Sequence, residues 1–303
     1  MADHPPKVWA SLITNLNYLP GLLTLAHSLQ QTKTAYPFVA LYTTSFPAEG
    51  IAALRAREIP ARLVPTVIPA APCTYTHDPR FEEAWKKLVV FSLYEYDRVV
   101  LLDSDMLVRQ NMDELMEVAL DGERQVFAAS HACACNPAKK PHYPREWAPS
   151  NCAFTPQHPD PDRAQHTGAA ATAGVAMLNS GLLVVQPRET DFVAVQTALQ
   201  DGERVRSYAL ADQEFLSVVF RGRWRPLPYV YNALKPMRGP QGTHGPLWRD
   251  EAVKNVHYIW AVKPWQLSQR EREESQDAPT HWWWAANEAR WCGEEARGVR
   301  DGW

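Results

Sequence analysis

Two aspartates separated by one serine, Asp103 and Asp105, are the residues whose type and spacing point most directly to chemistry. They follow the run Arg98–Leu102, which is typical of a strand buried on both faces. Residues i and i+2 of an extended chain point to the same side, so the two carboxylates converge and repel unless a divalent cation neutralises them. The sequence therefore predicts a metal site at a strand end, where open α/β sheets bind ligands. A solvated Asp-Ser-Asp turn is the alternative.

A histidine and a lysine far along the chain, His257 and Lys263, form a second group that could carry chemistry. A neutral imidazole can complete an oxygen-rich site for Mn²⁺. A lysine ammonium supplies a compact positive charge for the phosphates of a nucleotide. Taken alone, His257 is better explained as a hydrogen-bonded histidine of the core or surface.

The hydrophobic pattern around these residues alternates between strands and helices. It predicts strands at 8–13, 38–42, 62–64, 98–102, 125–130 and 176–186, with helices at about 20–29, 48–58, 81–96 and 191–200. This order predicts an α/β fold with a mainly parallel central sheet flanked by helices. We find no linker and expect one domain over 1–303, with a long insertion loop at about 131–173 and a helical, Trp-rich tail at about 268–303.

The composition excludes several classes of protein. Lys+Arg total 31 against Asp+Glu 34, a net charge of -3, so the basic footprint of a nucleic-acid or anionic-membrane binder is missing. The first residues lack a signal-peptide pattern, and no stretch approaches the roughly 18 apolar residues of a membrane span. Five cysteines, an odd number, fit a reducing compartment. We expect a cytoplasmic protein.

Seven motifs in order give the sequence a resemblance to glycosyltransferase family eight, the family of glycogenin and the galactinol synthases. The resemblance covers nearly all of residues 8–265. The residues that carry it are Leu12, Thr14, Asn15 and Tyr18; Lys87, sixteen residues before Asp103; Asp103, Ser104 and Asp105; Asn179, Ser180 and Gly181; Asp212 and Gln213; Tyr231 and Asn232; and His257 with Lys263, Pro264 and Trp265.

The resemblance implies a single GT-A domain, which is Rossmann-like, and a role for each matching position. Mn²⁺ is expected as the cofactor, with Mg²⁺ as an alternative, held by Asp103, Asp105 and His257. Tyr18 is expected to stack on uracil, and Asp212 and Gln213 to be catalytic at the sugar. The other residues implied to bind the UDP-sugar donor are Leu12, Thr14, Asn15, Lys87, Asp103, Ser104, Asn179, Ser180 and Lys263.

The activity that the resemblance implies is transfer of a hexose from UDP-glucose or UDP-galactose, with retention, to a small-molecule, glycan or polyol acceptor, as in galactinol synthases. A homodimer is one expected assembly. A nucleotide-sugar-binding protein without transferase activity is an alternative, because Ala209 stands where some relatives have an aspartate. A self-glucosylating primer is another, with Tyr143, Tyr208 or Tyr229 as acceptor. A nucleotidyltransferase is disfavoured because 14–20 is not a Gly-rich phosphate loop.

Three further features keep two interpretations each. Trp260 replaces a glycine common in the family, so either the loop runs differently or the tryptophan points outward. The tail tryptophans either stack on an acceptor or anchor a C-terminal helix; they are Trp282, Trp283, Trp284 and Trp291. Three cysteines of the insertion either pack as reduced thiols or bind zinc with one histidine. These are Cys133, Cys135 and Cys152, with His131, His142 or His158.

Overall fold

The computed structural model describes residues 6–141, 143–239 and 242–303. Its strands, in chain order, are β1 (Lys7–Ile13), β2 (Phe38–Tyr42), β3 (Ala61–Leu63), β4 (Arg98–Leu102), β5 (Met106–Val108), β6 (Phe127–His131), β7 (Leu178–Val185), β8 (Trp224–Pro226), β9 (Ala233–Leu234) and β10 (Asn255–His257).

The α-helices are α1 (Leu19–Gln31), α2 (Ala48–Ala56), α3 (Phe81–Ala84), α4 (Pro161–Ala164), α5 (Glu189–Ala198), α6 (Gly202–Ser207), α7 (Ala211–Val219), α8 (Gln269–Glu274) and α9 (Ala278–Ala296). Short 3-10 helices span Leu16–Tyr18, Trp85–Ser92, Asp113–Glu117, Pro149–Asn151, Thr155–Gln157, Tyr229–Tyr231, Lys235–Met237 and Pro264–Gln266. Within the described ranges, no helix is both long and apolar enough to span a bilayer.

The central sheet has the strand order β3-β2-β1-β4-β7-β6-β8. The first four of these strands run parallel to one another, and β8 runs parallel to β6. Strand β7 runs antiparallel to both of its neighbours. Helices cover the faces of this sheet, and β4 is buried along its whole length, which explains its unbroken apolar sequence. The predicted fold class, a mainly parallel α/β domain, is confirmed.

The loops that follow β1 and β4 meet at one edge of the sheet because these strands are parallel neighbours. Ala10 pairs with Leu101, so the two strands end side by side. The hydroxyl groups of Ser11 and Ser104 lie 3.1 Å apart, and the Ser104 hydroxyl donates to the carbonyl of Leu12. The segment after β1 is therefore tied directly to the Asp103–Asp105 turn.

A smaller sheet brings the C-terminal part of the chain to the same edge. It has the order β5-β10-β9. In the antiparallel pair of β5 and β10, Met106 lies opposite His257. Because Met106 directly follows Asp105, this pairing sets the histidine beside the aspartate despite their separation in sequence.

The C-terminal helix α9 packs against α1. Trp283 is fully buried, and its ring lies 5.5 Å from that of Trp265. The Thr24 hydroxyl donates to Asn287 over 2.8 Å, and the glycine at position 21 lets α1 approach the turn at Ser104, whose carbonyl a Cβ there would meet at 2.4 Å. Trp283 thus anchors the helix to the core.

Two elements differ from the sequence-based expectation. The helix predicted over 81–96 is α3 followed by the 3-10 helix Trp85–Ser92, and it ends before Tyr96. The long insertion begins one residue later than expected, because His131 is still in β6, and it continues to the start of β7. Several short helices lie within it, including α4, so it is less irregular than its composition indicates.

Candidate active site

The turn after β4 carries the two aspartates and is held on both sides by backbone hydrogen bonds. The Asp103 amide donates to the carbonyl of Gly181 over 2.8 Å, and the Tyr258 amide donates to the carbonyl of Asp105 over 2.9 Å. The carboxylates therefore have fixed positions between β7 and β10. Asp105 is buried, with 7% of its surface exposed, whereas Asp103 is half-buried.

Three candidate metal ligands converge at this turn. The Nε2 atom of His257 lies 3.2 Å from Oδ1 of Asp105 and 3.7 Å from Oδ2 of Asp103. One ligand atom of each residue lies within 4.8 Å of the other two. Adjacent ligands of an octahedral ion with bonds of about 2.0–2.1 Å are about 3 Å apart. The spacing of these atoms therefore suits a hard divalent cation.

A chain of hydrogen bonds fixes which nitrogen of His257 faces the carboxylates. The Gly181 amide donates to Oδ1 of Asn179, and Nδ2 of Asn232 donates to the same oxygen over 2.8 Å. The remaining amide oxygen of Asn232 lies 3.0 Å from Nδ1 of His257, so Nδ1 carries a proton and donates to it. In the neutral ring the lone pair of Nε2 then faces two carboxylates, an arrangement that needs a proton or a cation between them. This donor set fits a divalent metal, with Asn232 orienting the ligand.

The glycine at position 181 is required for this arrangement. A Cβ there would lie 2.3 Å from Cε1 and 2.7 Å from Nδ1 of His257. Such distances are far below van der Waals contact, so any side chain would displace the imidazole. The Asn-Ser-Gly motif thus supplies both the orienting amide of Asn179 and the space for the histidine.

Asp103 also contacts a lysine, Lys87. Lys87 Nζ lies 3.1 Å from Asp103, 3.2 Å from Asp212 and 3.3 Å from the Ser180 hydroxyl. Burial disfavours its charged form, but the two carboxylates outweigh burial and raise the pKa of Lys87. Burial and the neighbouring Asp105 carboxylate raise the pKa of Asp103. A cation bound between the aspartates would relieve this repulsion.

A cavity of about 280 Å³ opens over the aspartates. Nearly all the predicted donor-site residues line it: Leu12, Thr14, Asn15, Tyr18, Lys87, Asp103, Ser104, Asp105, Asn179, Ser180, Asp212, Gln213 and His257. Lys263 is the exception. It is buried, with 2% of its surface exposed, and it donates a hydrogen bond to Asp105 without lining the cavity itself. The structure therefore brings the predicted residues together, with Lys263 behind the cavity wall.

Tyr18 lines the cavity and is held from several directions. Its ring meets Trp265 edge-on at 5.9 Å, and Arg80 donates to its hydroxyl over 3.3 Å. Burial and the nearby Asp105 raise the pKa of Tyr18 to about 12, so the phenol stays neutral. A neutral aromatic ring beside the phosphate-facing residues is a suitable platform for a planar base.

The residues at the start of α7 lie at another part of the cavity. Asp212 is buried beside Lys87, and Gln213 accepts a hydrogen bond from Nδ2 of Asn179 over 2.9 Å. Glu214 accepts a hydrogen bond from the backbone amide of Ala209 over 2.8 Å. Ala209, which stands where some relatives have an aspartate, is therefore part of the cap at the start of α7. Gln213 keeps an acceptor lone pair for a substrate because an amide oxygen has two.

Arg80 and Lys140 line the cavity but belong to no spaced motif, so they could not be predicted from the sequence. Arg80 is paired with Asp78 and also donates to the carbonyl of Trp260 over 3.4 Å. Trp260, which stands where the family commonly has a glycine, lines the cavity rather than pointing outward, and Lys140 lies 5.6 Å from its ring. Arg80 and Lys140 add positive charge beside the aromatic wall.

The three tyrosines considered as self-acceptors differ in their access. Tyr208 and Tyr229 are buried, with 6% and 1% of their surfaces exposed. The Tyr229 hydroxyl donates to the carbonyl of Leu247. Tyr143 lines the cavity. Of the three, Tyr143 alone has access to a donor bound there.

The cysteines of the insertion come together, but with a histidine that the sequence analysis did not name. Cys133, Cys135 and Cys152 surround His244. His131 instead bonds backbone carbonyls, that of Ala170 at 3.0 Å among them, so its selection as a candidate ligand was wrong. His158 contacts His244 rather than the sulfur atoms, and His142 lies outside the described residues.

Comparison with known proteins shows the family and the fold of this chain. The family Glycosyl transferase family 8 matches residues 10–268. Galactinol synthase 1 of Ajuga reptans is 27% identical over 283 residues, covering 90% of this chain and 78% of that protein. Galactinol synthase 4 of Arabidopsis thaliana is 26% identical over 292 residues, and the alignment covers 92% of this chain and 80% of that protein.

Solved glycosyltransferases share the fold. The galactosyltransferase LgtC in complex with donor and acceptor sugar analogs aligns with a TM-score of 0.54 at 17% identity, covering 95% of this chain and 99% of that one. GlyE of Streptococcus pneumoniae TIGR4 aligns with a TM-score of 0.58 at 17% identity, covering 97% of this chain. This chain spans 65% of the length of GlyE, which is less than two thirds.

The fold and the comparisons together define a glycosyltransferase with a GT-A domain. The family match covers most of the chain, and this protein belongs to glycosyl transferase family 8.

Proposed function

We propose that this protein is a retaining hexosyltransferase that uses Mn²⁺ and a UDP-sugar, UDP-glucose or UDP-galactose, as donor. The observation that carries the proposal is the convergence of Asp103, Asp105 and His257 on one point at the floor of the cavity. The orientation of His257 through Asn232 supports a metal at that point. Mg²⁺ is the second choice, because an imidazole ligand favours Mn²⁺ over the harder ion.

The proposed reaction breaks the bond between the anomeric carbon and the diphosphate, and UDP leaves with the electron pair. A hydroxyl oxygen of the acceptor forms the new bond on the same face, and its proton passes to a phosphate oxygen or to solvent. A divalent metal, when bound, neutralises the charge that develops on the departing diphosphate. The residues of the chain must therefore bind the nucleotide, hold the sugar and exclude water.

We assign the nucleotide half of the donor to the cavity wall formed by the end of β1 and the segment that follows it. Tyr18 offers an aromatic face for uracil, and Leu12, Thr14 and Asn15 line the same part of the cavity. Stacking of a base on an aromatic side chain contributes about 1–3 kcal/mol. The diphosphate would then extend toward Asp103 and Asp105, where Ser104 ties the two segments together.

The sugar half is assigned to the residues around α7. The anomeric centre becomes oxocarbenium-like during transfer, so an oxygen atom at its β face would stabilise it. Gln213 is the proposed source, and Asn179 holds its side chain in place. Asp212 and Lys87 form the buried ion pair beside it, and both are proposed to bind sugar hydroxyl groups.

A polyol is the acceptor that we favour, because relatives that align over about nine-tenths of this chain are named galactinol synthases. The cavity near Trp260 combines the aromatic surface of this ring with the ammonium of Lys140, which lies 5.6 Å from it. Such a wall can stack on the ring of a cyclic polyol and bond its hydroxyl groups.

Calorimetric titration of UDP, with and without Mn²⁺, tests the assignment of the site. We expect Mn²⁺ to tighten UDP binding at least tenfold in the wild type, and Asp105→Ala to lose most of that gain. Asp121→Ala, which changes an exposed aspartate outside the cavity, is the matched control and should behave as the wild type. Equal UDP affinity with and without Mn²⁺ in the wild-type protein would contradict the proposal.

Incubation with UDP-glucose or UDP-galactose distinguishes the proposed activity from its two alternatives. Transfer to an added polyol or sugar supports the hexosyltransferase. A mass increase of the protein itself, lost in Tyr143→Phe, would support self-glycosylation. Mn²⁺-dependent binding of the donor with neither hydrolysis nor transfer would favour a nucleotide-sugar-binding protein.

A further inference from the structure

A cluster of three cysteines and one histidine lies beside the cavity. The Sγ atoms of Cys133, Cys135 and Cys152 each lie 3.3 Å from Nε2 of His244. All four ligand atoms lie within 4.8 Å of one another. His244 is fully buried, and Cys152 is 1% exposed. We propose that this cluster is a structural zinc site with three thiolate ligands and one imidazole ligand.

The distances have the form of a tetrahedral site. With Zn–S bonds of about 2.3 Å and Zn–N bonds of about 2.0 Å, each sulfur of a tetrahedral site lies about 3.5 Å from the nitrogen. The three equal distances of 3.3 Å are close to this value. The single nitrogen has only one lone pair or one proton, so it can hydrogen-bond only one of the three sulfur atoms, and Cys133 also has the Thr243 hydroxyl at 3.3 Å. A central cation satisfies all four atoms at once.

The second nitrogen of the histidine has the partner that a zinc ligand needs. Nδ1 of His244 lies 2.8 Å from Nε2 of His158. When Nδ1 donates its proton to His158, the lone pair of Nε2 is directed at the sulfur atoms. Zinc-bound histidines commonly hold their ring in this way through the nitrogen that does not bind the metal. The ring of Phe154 packs on His244 at 5.3 Å and helps to exclude water.

The chemistry of the donor set selects zinc over the cation of the active site. Thiolates bind Zn²⁺ strongly, whereas Mn²⁺ and Mg²⁺ prefer oxygen ligands. Four protein ligands in a buried position also leave no open coordination site, which is the feature of a structural rather than a catalytic zinc. A disulfide would use two of the three sulfur atoms and leave the third beside the imidazole.

The ligands come from three parts of the chain and would hold them together. Cys133 and Cys135 follow β6, Cys152 lies in the middle of the insertion, and His244 lies between β9 and β10. Cys133 itself lines the cavity, and so does Trp147 of the same insertion. A metal here would fix the insertion against the core and so shape one wall of the cavity. This inference concerns metal content and does not depend on the proposed reaction.

Metal analysis of the full-length protein, purified without a metal-chelating tag, tests the zinc site. We expect one equivalent of zinc in the wild type and in Asp105→Ala, which removes a ligand of the other candidate site. Cys292→Ser, an exposed cysteine far from the cluster, is the matched control and should keep its zinc. Cys152→Ser should lose it. Zinc that disappears in Asp105→Ala and persists in Cys152→Ser would overturn the assignment.

Two further measurements keep the proposal testable if Cys152→Ser does not fold. Replacement of zinc by Co²⁺ in the wild type should give the intense thiolate-to-cobalt absorption of a tetrahedral site. His158→Ala, which leaves all four ligands in place, should weaken zinc binding by about 10–100-fold. Wild-type protein that holds no zinc, with its cluster thiols reactive in the native state or joined in a disulfide, would show that the cluster is not a metal site.

Discussion

Lys263 donates a 2.6 Å hydrogen bond to Oδ2 of Asp105, and the opposite oxygen of the same carboxylate faces His257. The lysine also donates to the carbonyl of Tyr258 over 2.6 Å. Burial opposes ionisation of Asp105, but the ammonium of Lys263 outweighs it and holds the pKa of that carboxyl well below its usual range. Lys263 thus keeps Asp105 ionised and oriented with one oxygen toward the candidate metal position.

Replacement of this lysine should therefore affect the site and the fold together. Lys263→Met leaves a buried carboxylate and a buried carbonyl without their donor, which costs about 3–5 kcal/mol when a buried ion pair is broken. We expect Mn²⁺-dependent UDP affinity and the transfer rate to fall at least tenfold. Lys7→Met removes an exposed ion pair and should change the free energy of unfolding by less than about 1 kcal/mol. Chemical denaturation and UDP titration check both variants, and unchanged UDP affinity in Lys263→Met would contradict this account.

The close packing of Gly181 against His257 gives a second prediction. In Gly181→Ala the new Cβ would stand 2.3 Å from Cε1 of the imidazole, so the ring must move away from the aspartates. We expect the enhancement of UDP binding by Mn²⁺ to fall more than tenfold, with metal-free UDP binding nearly unchanged. Gly293→Ala is the control, because a Cβ there meets nothing within 4 Å. Retention of full Mn²⁺ enhancement in Gly181→Ala would show that His257 is not a ligand.

Gln213 provides a test of chemistry as distinct from binding. A group that stabilises the anomeric centre during bond breaking contributes to the transition state and little to the ground state. We expect Gln213→Ala to reduce kcat about a hundredfold while leaving UDP affinity nearly intact. Steady-state kinetics with one donor at saturating Mn²⁺, beside calorimetric UDP binding, separates the two effects. A rise in KM with kcat unchanged would assign Gln213 to donor binding alone.

The central sheet and the acidic pair could be predicted from sequence because both are local patterns. The run Arg98–Leu102 and the aspartates after it need no knowledge of distant contacts. His257 could be assigned only through the resemblance, because its approach to Asp105 depends on the pairing of β10 with β5. Nothing in the pattern predicted that Lys263 would lie behind the cavity wall.

The cysteine cluster shows a different limit of sequence reasoning. The cysteines were recognisable as a group, but His244 is 92 residues from Cys152 and lies in a Gly-rich segment without a ligand spacing. Histidines nearer to the cysteines were the natural candidates, but His131 and His158 make other contacts. His131 is held by backbone carbonyls because it ends a buried strand. Three-dimensional packing, not spacing, selects the fourth ligand.

The C-terminal helix gives a prediction about stability. Arg57 pairs with Glu294 at 2.9 Å and with Asp301 at 2.7 Å, and the side chains of Arg57 and Glu294 are 4% and 5% exposed. Arg57→Ala would remove one of the two arginines that pair with the buried Glu294, which keeps Arg290 at 2.8 Å, and we expect a loss of about 1–3 kcal/mol in the free energy of unfolding. Urea denaturation followed by tryptophan fluorescence checks it. Wild-type stability in Arg57→Ala would show that the helix is held by its apolar contacts alone.

The ion pair between Arg57 and Asp301 makes the stability of the folded protein depend on pH. The hydrogen bond from Arg57 lowers the pKa of Asp301 in the folded protein below its unfolded value of about 3.9. The stabilisation by Asp301 is therefore present at neutral pH and is lost as the pH falls through the folded-state pKa. Asp301→Asn should destabilise the protein at pH 7, and this deficit should shrink as the pH is lowered below the unfolded value of about 3.9. A deficit that stays constant as the pH falls would contradict the ion pair as its cause.

The most direct test of the central claim follows the anomeric proton of the donor hexose by NMR, with UDP-glucose or UDP-galactose, a cyclic polyol and Mn²⁺. We predict that UDP is released together with an α-linked product, that omission of Mn²⁺ reduces the rate at least tenfold, and that Asp105→Ala abolishes it. A β-linked product would contradict retention. Full turnover in metal-free buffer, or in Asp105→Ala, would contradict the assignment of Asp103, Asp105 and His257 as the metal site that drives transfer.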